Sequence, residues 1–178
     1  MLRQHTNAPF RVDVNGAWTV DTALKNLSVM LELGVEFLEQ PLAPDDWAGM
    51  KRLRKEIKKK NYEIPIFADE SWKEEEDIDR CASLFDGINL KLAKCGGLTP
   101  ARLVAEKAKH IGLRLASASS VESTIGVSAI CQLAPLFDFF GVDGPLLIEK
   151  KVGVGVHADK GRLVYPNENG TGVRTTFR

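Results

Sequence analysis

The chain has 178 residues, 44% of them hydrophobic and 27% charged, which is ordinary for a globular protein and enough to bury a sizeable core. Lys+Arg and Asp+Glu both number 24, so the net charge is zero and there is no electrostatic footprint for nucleic acid or an anionic membrane. Without an apolar run of membrane-spanning length, and with three cysteines and three histidines that lack metal-ligand spacing, the sequence argues against a membrane protein or a histidine-based zinc site and for a reducing cytoplasm.

In chain order, the short apolar run FRVDV (10–14) predicts a strand broken at once by Asn15-Gly16. A helix is expected near 21–33, with Ala23, Leu24, Leu27, Met30 and Leu31 on one face, Asp21 as N-cap and Gly34 as stop. VEFLEQ (35–40) predicts a strand ended by Pro41, and a helix follows near 46–59. That helix contains the basic run KRLRKEIKKK (51–60), whose charges surround Leu53 and Ile57 at helical spacing, as on a solvated face. IPIFAD (64–69) predicts a strand, 73–84 an acidic helix, GINLKLA (87–93) a strand and 99–111 a helix. LRLASAS (113–119) is expected to be a strand, 123–135 a helix and 138–143 a last strand, with loops and short extended pieces from about 149 to 178.

Six strands separated by five helices imply an α/β fold with a parallel sheet and crossover helices. Two architectures fit: an open doubly wound sheet, or part of a (β/α)8 barrel, which when complete typically needs about 250 residues and eight units. No GxGxxG or Walker A loop is present to favour a nucleotide-binding open sheet.

Polar residues recur at the strand C-termini: Asp13, Glu39, Asp69, Lys91 and, just beyond its strand, Glu122. In either architecture these ends converge on one face, where ligands bind. Asp13 alone reads as a turn former. Three acids on three successive strands followed by a lysine on the fourth form a set. Converging carboxylates repel unless a cation neutralises them, and their hard oxygens suit Mg²⁺. A lysine near that cation is pushed toward its neutral amine, which can remove a proton and later return one. A divalent ion that stabilises an enediolate would ease deprotonation of a carbon acid beside a carboxylate.

The ordered segments DVNGAW, EQPL, ADES, INLKLAKCGGL, SSVESTIGVSA and DGPLL resemble the enolase superfamily, in its muconate-lactonizing subgroup and most closely the dipeptide epimerases. Superfamily chemistry of this kind is one of the standard cases of a lysine or histidine base acting with Mg²⁺. The resemblance implies a partial (β/α)8 barrel of about six βα units at residues 1–148, lacking the first strands and the N-terminal capping domain. It implies that the tail 149–178 packs toward such a cap. Asp13, Glu39 and Asp69 match the Mg²⁺ ligands, and Lys91 the acid/base lysine, with Lys94 aimed elsewhere by strand alternation. Asp143 matches the second acid of the D-x-D motif that binds a dipeptide's ammonium group, while Gly141 stands where the first would be.

The second acid/base lysine of the family, in a K-x-K motif on an earlier strand, has no counterpart before Asp13. The resemblance therefore implies a small-molecule carboxylate substrate, with a second copy or a complementing N-terminal chain as partner. Dipeptide epimerisation is the leading activity. o-Succinylbenzoate synthesis or muconate-type cycloisomerisation is the alternative within the subgroup, and a non-catalytic fragment or assembly module the alternative of another class. Ser119, Ser120 and Glu122 are candidate substrate contacts that a polar strand-to-helix turn explains equally well. Glu70 reads as a supporting acid or a helix N-terminal one, Trp18 and Trp72 as packing residues, and Cys95 before Gly96-Gly97 as structural.

Overall fold

Residues 2–117, 121–149 and 152–176 are described by the structure, a computed structural model. They fall into two compact units, residues 1–89 with 110–113, and residues 90–109 with 114–178.

The first unit alternates strand and helix: β1 (Phe10–Asp13), α1 (Val20–Glu32), β2 (Val35–Glu39), α2 (Trp47–Lys59), β3 (Ile66–Ala68), α3 (Asp77–Ala82) and β4 (Gly87–Asn89). The strands pair in parallel in chain order, with Asp13 opposite Glu39, Glu39 opposite Phe67, and Phe67 opposite Gly87. Phe37, Leu38, Ile66, Phe67 and Ile88 of these strands and Ala23, Leu27, Met50, Leu53 and Ile57 of the helices are all buried and make up the unit's core. Phe37 and Phe67 stack at 4.5 Å between ring centroids.

Local chemistry sets the helix ends. Thr19 caps α1, its hydroxyl accepting the Thr22 N–H at 3.2 Å. Asp21 is therefore not the expected cap. It stands in the first turn, where its charge suits the helix dipole and pairs with Arg52 at 2.9 Å. Asp46 caps α2 by accepting the Gly49 N–H at 2.8 Å. With Leu53 and Ile57 inward, Lys51, Lys55, Lys58, Lys59 and Lys60 stay exposed, so the basic run is the solvated face expected of it.

The expected helix over 73–84 shrinks to Asp77–Ala82. The Asp77 carboxylate accepts the N–H groups of Lys73 and Glu74 at 2.9 and 3.3 Å, and that local loop competes with a helical turn over three consecutive glutamates.

In the second unit, α4 (Leu92–Cys95) and α5 (Leu98–His110) precede β5 (Arg114–Ser117), α6 (Thr124–Cys131) and β6 (Phe139–Phe140). β5 and β6 pair in parallel, Ala116 opposite Phe139. The strand expected over 87–93 ends at Asn89, because Gly96 in a left-handed conformation (φ 79°) lets Leu92–Cys95 close a helical turn. The helix expected over 123–135 stops at Cys131. Pro135 then starts a separate 3₁₀ turn (Ala134–Leu136) because it cannot donate to a continuing helix.

Beyond β6 the chain forms short extended pieces, as expected. β7 (Gly153–Val154) pairs antiparallel with β10 (Arg174–Thr175), and β8 (His157–Asp159) with β9 (Arg162–Val164). This segment is fastened to α6. The Ser128 hydroxyl accepts the Val156 N–H at 2.9 Å, Tyr165 donates to the Cys131 carbonyl at 2.7 Å, and Val156 packs on Val127 and Cys131. Gly155 is required there, since a Cβ would run into the Ser128 hydroxyl. No helix among the described residues is long and apolar enough to cross a membrane.

Candidate metal centre

The last residues of β1 and β2 are Asp13 and Glu39, and Asp69 immediately follows β3. In-register parallel pairing brings these three ends together. One carboxylate oxygen from each lies within 4.8 Å of the others. Glu39 and Asp69 are 4% and 1% exposed, whereas Asp13 is open to solvent. Two buried carboxylates so close to a third repel strongly, and desolvation adds to the cost of their charge. A hard divalent cation coordinated by oxygen answers both problems, so the donor set fits Mg²⁺.

Asp13 is also the turn former that its sequence context suggests. Its Oδ1 accepts the Asn15 N–H at 2.9 Å, while Asn15 and Gly16 take positive φ values of 50° and 71°. A Cβ on Gly16 would lie 3.2 Å from the Leu42 carbonyl oxygen, so the turn needs glycine for space as well as for φ. Turn and cluster membership share one side chain.

Two residues without an assigned role in the sequence reading organise the cluster. Gln40 is fully buried, with φ 35°. Its Oε1 accepts the N–H groups of Asp69 and Ser71, both at 3.0 Å, and its Nε2 donates to the Leu42 carbonyl and the Ser71 hydroxyl, both at 2.8 Å. Its backbone N–H donates to the Phe67 carbonyl at 2.9 Å and its carbonyl accepts the Gly16 N–H at 2.7 Å. One glutamine thus ties together the ends of β1, β2 and β3. Asn89, also fully buried, donates from Nδ2 to Glu39 Oε1 at 2.6 Å. The available signal was a polar residue inside each apolar run, FLEQPL and GINLKL.

Trp72 is 1% exposed and donates its indole N–H to the Asn89 carbonyl at 2.9 Å, which makes it a packing residue. Trp18 is half-buried and bridges to Leu42. Glu70 is half-buried, and its Oε2 has no hydrogen-bond partner among the described residues.

Lys91, Glu122 and Asp143 belong to the second unit. Lys91 is half-buried and extended (φ −111°, ψ 128°) at the start of α4, and Lys94 sits within that turn rather than on a strand. The alternation used to separate the two lysines therefore does not reach Lys94. Glu122 lays its carboxylate against Gly126 in the first turn of α6, where Ser123 is the cap. Asp143 is exposed and opens the 3₁₀ turn Gly144–Leu147. Ser119 and Ser120 lie outside the described residues. Among the described residues, a Cβ at Gly141 would meet the Ser117 carbonyl oxygen at 3.6 Å, an ordinary contact.

Burial pushes the half-buried Cys95 thiol up to about 11, against the opposing pull of Lys94. At neutral pH it is a protonated thiol and a poor nucleophile. Iodoacetamide labelling of Cys95 is expected to keep accelerating about tenfold per pH unit up to about pH 10, where an ordinary thiol would already have levelled off. A plateau near pH 9, read by peptide mass spectrometry, would contradict the assignment.

The family model for the enolase C-terminal domain-like family matches residues 1–176. The chain is 46% identical over 172 residues to an L-Ala-D/L-amino acid epimerase of Flavobacterium johnsoniae, covering 97% of this chain and 50% of that protein. Among solved structures, the substrate-liganded L-Ala-D/L-Glu epimerase from Bacillus subtilis superposes with a TM-score of 0.83 at 28% identity, over 93% of this chain and 47% of that one. A dipeptide epimerase from Cytophaga hutchinsonii, complexed with Mg and the dipeptide D-Ala-L-Val, gives 0.83 at 25% identity, over 94% and 46%. The fold is accordingly a partial (β/α)8 barrel. The chain spans about half the length of the curated relatives it matches.

Proposed function

The chain belongs to the enolase C-terminal domain-like family, and from that membership we propose that it carries the metal site and one acid/base lysine of a Mg²⁺-dependent epimerase acting on dipeptides. The observation that supports this best is the meeting of Asp13, Glu39 and Asp69 at the ends of three successive parallel strands. These three residues would hold the ion. When bound, Mg²⁺ supplies charge stabilisation for the negative charge that develops on a substrate carboxylate as its α-proton leaves. Lys91 takes that proton on its neutral amine and, as the ammonium, can return one. Inversion also needs a donor on the opposite face of the carbon. The proposed source of that group is a complementing chain or a second copy.

Gly141 favours a second reading, because by the resemblance it stands where a dipeptide epimerase would have the first acid of D-x-D. Under it the substrate is another carboxylate of the same subgroup, turned over by o-succinylbenzoate synthesis or cycloisomerisation. Assays with dipeptides and with those carboxylates, with and without a complementing N-terminal half, separate the two. Turnover of neither substrate class in the complemented protein favours a non-catalytic assembly module.

The metal site itself is tested by calorimetric titration of Mg²⁺ into the folded chain. Saturable binding that Asp69→Asn abolishes is the expected result, and no binding to the unaltered chain sinks the proposal of a formed site.

A further inference from the structure

Glutamate is a flexible ligand, with three side-chain torsions to be fixed before its oxygens can meet an ion, and fixing them costs conformational entropy. Glu39 has this restriction built in. Its Oε1 accepts a hydrogen bond from Asn89 Nδ2 at 2.6 Å, a short bond to a carboxylate in a setting where Asn89 is 0% and Glu39 4% exposed. The donor is itself fastened, because the Asn89 carbonyl accepts the indole N–H of the buried Trp72 at 2.9 Å. A chain of contacts therefore runs from a core indole, through the β4 backbone, to one oxygen of one carboxylate.

The chemical type of the donor matters. A lysine or arginine in this place would neutralise Glu39 and compete with a cation for it. An apolar residue would remove the hydrogen bond that Oε1 of this buried carboxylate accepts. An amide orients the group while leaving its negative charge intact. Supporting hydrogen bonds of this kind commonly set metal affinity without touching the metal.

We propose that Asn89 is a positioning residue for the carboxylate cluster: its amide holds Glu39 in the rotamer that keeps its carboxylate beside those of Asp13 and Asp69. This rests on the reading of the cluster as a cation site. It predicts that Asn89 contributes to metal affinity and to the symmetry of the bound ion's surroundings, over and above any contribution to folding.

The test uses Mn²⁺, titrated into the full chain and followed by electron paramagnetic resonance, with Asn89→Leu, Asn89→Ser and Glu39→Gln alongside and thermal melts recorded for each. Neither Asn89 substitution alters the carbonyl that Trp72 uses, so both variants are expected to fold. Each should bind Mn²⁺ about 10- to 100-fold more weakly and give a broadened bound-ion spectrum, while Glu39→Gln abolishes binding. Unaltered affinity and spectrum in whichever Asn89 variant folds overturns the inference and leaves the metal site standing. Failure of both variants to fold also overturns it, by making Asn89 architectural. Absence of Mn²⁺ binding to the unaltered chain removes the metal reading, and this inference with it.

Discussion

Addition of Mg²⁺ at about 100 times its dissociation constant is expected to raise the thermal midpoint of the chain by about 5–10 °C, and Asp69→Asn to abolish that rise. Saturation of a site present only in the folded state contributes about 2.7 kcal/mol at this excess. For a chain of this size each kcal/mol shifts the midpoint by about 2–4 °C. The same substitution should leave the metal-free protein at least as stable, because it removes one of three carboxylates whose oxygens lie within 4.8 Å of one another. Differential scanning calorimetry with and without Mg²⁺ gives both results from one pair of samples. A variant that loses stability without metal yet keeps its response to Mg²⁺ would show that Asp69 serves the fold and not the ion.

The largest loss of stability is expected at Gln40. Replacing it with Ala removes the oxygen that accepts both the Asp69 and Ser71 N–H groups, and leaves the hydroxyl of Ser71 and the carbonyl of Leu42 without that amide. Leaving a buried backbone donor unpaired costs about 1–3 kcal/mol each, so a total near 3 kcal/mol and a drop of about 10 °C are expected. Gln40→Gly should be less damaging than Gln40→Ala by about 1 kcal/mol, because glycine accepts a left-handed backbone without the Cβ penalty. The φ of 35° at Gln40 is the source of that difference. Equal stabilities for the two variants would show that the backbone relaxes once the amide is gone. Metal affinity, measured on the folded fraction, should fall in both.

Much of this architecture was legible in the sequence because its signals are local. Leu53 and Ile57 at helical spacing marked the buried face of α2, and Gly34 marked the end of α1. The acids of the cluster stood out because each closes an apolar run just before a residue that breaks or turns the chain. Boundaries were missed where a side chain or a glycine competed with propensity. Asp77 drew in the N–H groups of Lys73 and Glu74, and Gly96 allowed a helical turn where a strand was expected to continue. Asn89 and Gln40 were harder still. Their partners lie 50, 29 and 31 residues away, so their roles depend on strand pairing that no single stretch displays.

The unequal burial of the three acids has a consequence for how an ion would arrive and leave. Glu39 and Asp69 are walled in, the carboxylate of one held by Asn89 and the backbone of the other by Gln40, whereas Asp13 is exposed. Two jaws of the clamp are thus set in place, and the third is the one an arriving hydrated ion meets first. Occupancy and the fixing of the Asp13 side chain become linked equilibria, each stabilising the other by the same free energy. Because Asp13 also accepts the Asn15 N–H, a bound ion would tighten that turn, and the exchange rate of the Asn15 amide would report whether the clamp is closed.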